Sequence, residues 1–531
     1  MNQPFASHDL VHARPNLALE PLIHRYYAWL NLVSPAPAAM NFAKLHVPLL
    51  RSFLDAPALH RRSARDPKLR GGMFVDLEDD QLDGVSDLAT RLADGPMPEL
   101  SAAMDELTVN LEKLADGFDL TPRYGEIPPA LRGYVELVYD LNDHARIRLA
   151  ERMLYRSRHF DETAHSVDLS LATGDERPFA MTTPRFPGNG HVQATMPLRD
   201  PRIDLLFSTM TTARPFGELR EAFDVSDADL ATFSGLFSAE PGGSPDRNLD
   251  GPGLRVRYFG HACVVVQSGP VTVMTDPFLS DALGDGDRYA YADLPDVIDY
   301  VLITHGHQDH LELASLLKLR HRIGTVVVPK TAAGALQDPS LRLCLEALGF
   351  PNVVDVEPGE TIELPDGQIV VCPFVGEHCD LDIAAKVTYS VRTGGKNLYF
   401  GADNRCVDPA LFGHIHDMIG DVDMAFLGME CDGAPLSWMY GPLFSRRIDQ
   451  KMSRSRKLNG SDAVEAMGIV RRLRARQAYV YAMGREPWLV FVMATNYTDD
   501  SYQLKQMAEF FQRCADVGVP ARELYGRADL V

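Results

Sequence analysis

At 531 residues the chain exceeds the roughly 250 to 300 residues at which a single hydrophobic core stops growing, so two domains are expected. A hydrophobic fraction of 45% with 24% charged residues excludes disordered and fibrous classes. A net charge of -21 argues against nucleic acid and anionic membrane as partners, since both would be approached against repulsion.

The opening residues, MNQPFASHDLVHARPNLALEPL, lack a basic segment followed by an apolar run and a small-residue cleavage site, and no stretch is apolar enough to span a bilayer. A cytoplasmic protein is expected. Apolar residues spaced at three and four in NFAKLHVPLLRSFLDA (41–56) and PALRGYVELVYDLNDHARIRLAERMLYRS (129–157) predict a mainly helical first domain over 1–240. The acidic stretch 76–87 reads as a solvated face, and 200–237 as two or three short helices with Ser226 as the N-cap of the last. The Gly-, Pro- and Asp-rich run SAEPGGSPDRNLDGPG, starting at Ser238, carries no apolar period, and 241–253 is assigned as the linker. Over 254–531 the period changes. LRVRYFG, ACVVVQSG and PVTVMTDP, followed by DYVLITH, GTVVVP, QIVVCP, KVTYSVR, NLYFGAD and DMAFLG, predict strands, with helices near 309–319, 341–348 and 462–475. The fold class is therefore α/β, with layered sheets covered by helices. Seven cysteines, odd in number and without a Cys-x-x-Cys pair, are expected to be buried free thiols.

The densest chemistry lies in VLITHGHQDHLE. A buried strand ends at Thr304, and His305, His307, Asp309 and His310 follow within six residues. Four such side chains cannot all find partners in an apolar core, whereas a turn at a strand end can aim them at two adjacent cations. Downstream, Glu377 and His378 in VGEHCD are neighbours that an extended chain would point to opposite faces, so one of the two is expected to ligate. Asp403, after the strand in YFGADNR, is a further candidate. Glu430 in LGMECDG is a candidate carboxylate or proton relay near the metals, or else a structural hydrogen bond. Trp438 and Tyr440 are candidates for an aromatic pocket or for core packing. RRIDQKMSRSRK, with Arg446, Arg447, Lys451, Arg454, Arg456 and Lys457, is a candidate docking face for an acidic partner, or a solvated loop.

The motif His-x-His-x-Asp-His at His305, His307, Asp309 and His310 resembles the metallo-β-lactamase superfamily, as do Gly260, His261 and the Asp276-Pro277 pair in front of it. The resemblance implies an αββα sandwich in which Asp276 orients a ligand histidine, while His261 reaches the site mouth or caps a turn. Binuclear hydrolases of that superfamily carry a last histidine on a later strand; here no histidine follows His416, and Ala482 and Met483 stand at the matching strand end. Mixed imidazole and carboxylate ligation with an open position suits iron and dioxygen.

The altered ligands and the long first domain resemble the non-haem diiron β-hydroxylases known from chloramphenicol biosynthesis. That resemblance implies two iron ions in an oxo- or hydroxo-bridged cluster, one held by His305, His307 and Glu377 and the other by Asp309, His310 and Asp403, with O2 as co-substrate and an external electron donor. It implies β-hydroxylation of an aromatic amino acid of the p-aminophenylalanine kind, held as a thioester on the carrier domain of a nonribosomal peptide synthetase, with a separate reductase. The first domain is assigned to dimerisation, giving a homodimer, or to docking the synthetase, and its sequence does not decide between them. Two other readings stand beside this one: a binuclear zinc hydrolase of a thioester, lactone or phosphodiester, and a carrier-binding scaffold with a degenerate metal site.

Overall fold

The computed structural model describes residues 4–114, 116–284 and 287–530. Beyond residue 253 two seven-stranded sheets face each other. The first runs in the order Val353–Val356, Ile323–Pro329, Ile298–Leu302, Thr272–Thr275, Cys263–Ser268, Leu254–Gly260 and Ala528–Asp529. The second runs Thr361–Leu364, Gly367–Pro373, Val387–Thr393, Lys396–Phe400, Met424–Gly428, Gln477–Tyr481 and Ala521–Glu523. The nine strand expectations all fall on these elements. Alternation places Val264, Val266, Leu302 and Val327 of the first sheet against Tyr389, Val391, Phe400 and Phe426 of the second, forming the inner core.

Helices Pro409–Ile419, Ala463–Arg472 and Tyr502–Asp516 cover the outer face of the second sheet. Leu313–Leu319 and Leu341–Ala347 cover the first, and there the N-terminal region joins the layer, because Val301, Ile303 and Val326 share one apolar cluster with Leu19, Met40 and Phe53. This is the αββα sandwich with an added N-terminal domain.

That N-terminal region is less helical than its sequence period predicts. It holds a four-stranded sheet ordered Tyr26–Tyr27, Leu17–Ile23, His165–Leu171 and His191–Thr195 beside helices Pro35–Asn41, Val47–Asp55, Leu82–Asp94 and Pro96–Leu114. The clearest correction concerns 129–157, where the expected helix is a hairpin of Val135–Tyr139 and Ala145–Leu149. Its turn is set by Asp140, whose carboxylate accepts the N–H groups of Asn142 and His144, with Asp143 in the left-handed region at φ 61°. Leu137 and Leu149 are buried on one face, a period of two that the helical count had masked. The helix over 41–56 is present but contains a π-helical turn at Phe42–His46. Ser226 caps one turn earlier than predicted: it accepts the Asp229 N–H, and Asp229 itself occupies the N-cap of the last helix, Leu230–Gly235. All seven cysteines are free, and Cys431 alone is partly exposed. Among the described residues no helix is long and apolar enough to cross a membrane.

Candidate metal centre

The strands of both sheets end at one place. His305 to His310 follow Ile298–Leu302, Glu377 and His378 follow Gly367–Pro373, Asp403 follows Lys396–Phe400, and Glu430 follows Met424–Gly428. One backbone and one side-chain hydrogen bond join the two sheets here: Val387 N–H donates to the Thr304 carbonyl at 2.9 Å, and the Tyr389 hydroxyl donates to that of Ile303 at 2.8 Å.

The candidate ligand atoms form three overlapping groups, the last two sharing His310. His305, His307, Glu377 and His378 make the first, His261, Asp309 and His310 the second, and His305, His310 and Asp403 the third. All six residues assigned from sequence are thus brought together. His305 Nε2 lies 3.2 Å from His307 Nδ1, and Glu377 Oε1 lies 2.8 Å from that same Nδ1. On the other side His310 Nε2 is 3.1 Å from Asp403 Oδ2 and 3.5 Å from Asp309 Oδ2. The His305 and His310 rings, 4.1 Å apart, join the halves.

Several of these buried atoms have no hydrogen-bond partner: His310 Nε2, Glu377 Oε2, Asp403 Oδ1 and His378 Nδ1. His310 Nε2 and Asp403 Oδ2 are close without hydrogen-bonding geometry, as are His378 Nδ1 and Glu377 Oε2 at 2.7 Å. Buried anionic and imidazole donors left unsatisfied and aimed at common points fit a pair of cations, and the donor set of imidazoles and carboxylates fits iron.

Electrostatics agree. Burial holds the His305 imidazole well below its ordinary pKa, as a neutral ligand requires. Burial would raise the carboxyls of Asp309 and Glu377, but His310 and His261 beside the first, and His307 and His378 beside the second, hold both below the usual range. Glu430 goes the other way: burial, then the charges of Asp403, Asp309 and Glu377, push it well above the usual carboxylate range. It lines a small cavity together with His307, Asp309, Glu377 and Asp403.

The supporting residues sit close behind. Asp276 is fully buried and accepts from His310 Nδ1 at 2.8 Å, from Thr304 N–H at 2.7 Å and from the Thr304 hydroxyl at 2.6 Å, which fixes His310 with Nε2 inward. His261 does not reach the site mouth. It is fully buried, with Nε2 2.9 Å from Asp309 Oδ2 and φ at 50°. Ala482, at the strand end where hydrolases place their last histidine, donates its N–H to the His261 carbonyl at 3.0 Å. The Tyr440 hydroxyl lies 2.9 Å from His307 Nε2, leaving Nδ1 to face the cluster.

Glu377 and His378 depart from the extended chain assumed for them. Gly376, Glu377, Cys379 and Asp380 all have φ between 54° and 91°, so the loop coils left-handed and turns both side chains to the same side. Arg456 holds it, donating from Nε to the Cys379 carbonyl at 2.7 Å. In the basic segment, Arg446 pairs with Glu112 and Lys457 with Asp432, and among the described residues Arg447, Lys451 and Arg454 have no ion pair. Sequence reasoning missed Gln308, the spacer residue inside the motif. It is 5% exposed, lines the metal cavity, and neither end of its amide has a partner.

Residues 12–241 match the family described as the diiron non-heme beta-hydroxylase N-terminal domain, and residues 272–481 match the beta-lactamase superfamily domain. The 3-hydroxylase of 4-amino-L-phenylalanyl CmlP peptidyl carrier protein from Streptomyces venezuelae is 34% identical over 526 residues, covering 97% of this chain and 99% of that protein. A metal-dependent hydrolase of Shouchella clausii is 27% identical over 33% of this chain and 72% of its own length. The crystal structure of CmlA, a diiron beta-hydroxylase from Streptomyces venezuelae, superposes with a TM-score of 0.90 at 34% identity, covering 99% of this chain and 100% of that one. Matched from end to end by a hydroxylase and only in part by a hydrolase, the chain belongs to the family of diiron β-hydroxylases built on the metallo-β-lactamase fold.

Proposed function

We propose that this chain hydroxylates the β-carbon of an aromatic amino acid, of the p-aminophenylalanine kind, held as a thioester on the carrier domain of a nonribosomal peptide synthetase in an antibiotic pathway. O2 is the co-substrate, an external donor with its own reductase supplies two electrons, and the working unit is a homodimer. The division into residues 1–240, a linker at 241–253 and a catalytic domain at 254–531 is part of the same reading. The observation that carries it is the Glu377 carboxylate, seated against His307 in a site whose later strand offers Ala482 in place of a histidine.

When bound, a pair of irons supplies the redox chemistry that turns O2 and two electrons into a C–H hydroxylation. The chain does the rest. His305, His307 and Glu377 hold one position and Asp309, His310 and Asp403 the other. Met439, Leu458, Val492 and Met493 line the cavity and exclude water. Hydroxylation with release of water consumes two protons, and Glu430, in that cavity, is the residue placed to hand one over.

The test is elemental analysis with an optical spectrum of the protein as isolated, followed by product analysis with an aminoacyl carrier, O2 and a chemical reductant. Iron with hydroxylated product supports the reading. A colourless zinc protein that releases the amino acid by thioester hydrolysis overturns it.

A further inference from the structure

The cavity bounded by the candidate ligands measures about 60 Å3. Cavities that accept benzene are about 150 Å3, so a substituted phenyl ring with its thioester does not fit behind the present walls. One wall is thin. In the helical turn Val490–Met493, Val492 and Met493 line the metal cavity, while Val490 and Phe491 line a groove of about 580 Å3 on the other side.

Trp438 completes the partition. It lines the metal cavity, donates from Nε1 to the Gly71 carbonyl at 3.0 Å, and lies 6.0 Å from the Phe179 ring; Gly71 and Phe179 both line the groove. Gly71 has φ at 75°, and a Cβ there would meet that of Ala494 at 2.8 Å, so the closure depends on glycine. Trp29 and Trp488 are 5% and 3% exposed, whereas Trp438 is only half-buried.

The groove's floor is apolar, with Phe74, Phe179 and Phe491; its charged lining is Arg65, Arg70 and Arg177 with Asp66, Asp76, Asp175 and Glu176, and the most basic run of the N-terminal region, HRRSARDPKLR at 60–70, borders it. Arg61 is committed to Asp79, and Arg65 to Asp76 and Glu78. Among the described residues Arg62, Lys68 and Arg70 are exposed with no side-chain ion pair, on a chain whose net charge is -21.

We propose that this groove receives the phosphopantetheine arm joining an aminoacyl thioester to its carrier, with Trp438 as the partition the arm displaces, Arg70 in the groove as the cation that meets its phosphate, and Arg62 and Lys68 on the adjoining surface as cations that meet the acidic carrier. The proposal rests on the carrier-bound reading above. A linear arm with an apolar stretch, amides and one terminal phosphate matches an aromatic floor ending in free cations. The cavity is otherwise too small for the reacting group.

The test uses the full-length iron-loaded protein and a carrier whose arm bears a photoactivatable diazirine, with crosslinks mapped by mass spectrometry. Crosslinks to 64–76, 175–183 or Trp438 are expected. The triple variant Arg62→Glu, Lys68→Glu, Arg70→Glu should raise KM for the loaded carrier about tenfold or more, with iron content and melting temperature retained. The rival surface is reversed in parallel as Arg447→Glu, Lys451→Glu, Arg454→Glu. If only that second variant raises KM, or if crosslinks fall outside the groove while wild-type protein turns the carrier over, the groove assignment is overturned and the functional reading stands. If wild-type protein turns over no aminoacyl carrier under reducing conditions with O2, both fall.

Discussion

The imidazole of His378 stacks on that of His307, ring centroids 4.5 Å apart and planes inclined by 25°, with the Glu377 carboxylate between their Nδ1 atoms at 2.8 Å and 2.7 Å. Glu377 is the carboxylate of that group, and His378 braces it. Glu377→Ala should lose iron from the His305 and His307 position, whereas His378→Ala should keep most of its iron and lose turnover modestly. Metal analysis of the two variants decides, and the reverse result would make His378 the ligand.

Asp276 reaches the metal site only through His310 and Thr304. Replacing a carboxylate that orients a ligand histidine costs about 10 to 100-fold in metal affinity or activity. Asp276→Asn should fall in that range when iron is titrated against a competing chelator, and wild-type affinity would remove Asp276 from the site.

Gln308 keeps both ends of a buried amide unpaired in the reacting cavity, a cost that substrate can relieve. Gln308→Leu should raise KM for the aminoacyl carrier about tenfold with the optical spectrum of the iron centre unchanged. A stability gain with unaltered KM would show that the amide meets no substrate.

The N-terminal region carries an acid-sensitive set. Burial lowers His46 to about 3, and burial first of all lowers His24 and His165 to about 4 each. Below 6.5 the unfolded chain takes up protons that the folded chain refuses, so the stability these histidines contribute is fully present above pH 6.5 and lost as pH falls towards 4. Denaturant midpoints measured from pH 7.5 to 4.5 should drop, and less steeply in His46→Phe, whose ring keeps the stack on Tyr26 at 3.9 Å.

Much of this site was legible because its chemistry is local. His305 to His310 announce themselves by density after a strand, and Asp403 by its place at the next strand end. What the sequence hid is what the backbone does between motifs. Nothing in VGEHCD reveals that Glu377 takes a positive φ, so strand alternation misjudged where His378 points. Tyr440 and His307 meet across 133 positions, a contact no local pattern carries. In 129–157 the apolar spacing was counted as helical, whereas the Asp140 turn and the burial of Leu137 and Leu149 on one face make it a hairpin.

The candidate ligands come from both sides of the sandwich: His305, His307, Asp309 and His310 from the first sheet, Glu377 and Asp403 from the second. Ions seated there would rivet the two plates at one edge, beside the Val387–Thr304 and Tyr389–Ile303 hydrogen bonds that already join them. Their affinity is spent partly on holding the halves in register, by the mass-action law that favours whichever state binds. A chelated protein should therefore loosen first along the seam between the sheets, while each sheet keeps its own ladder.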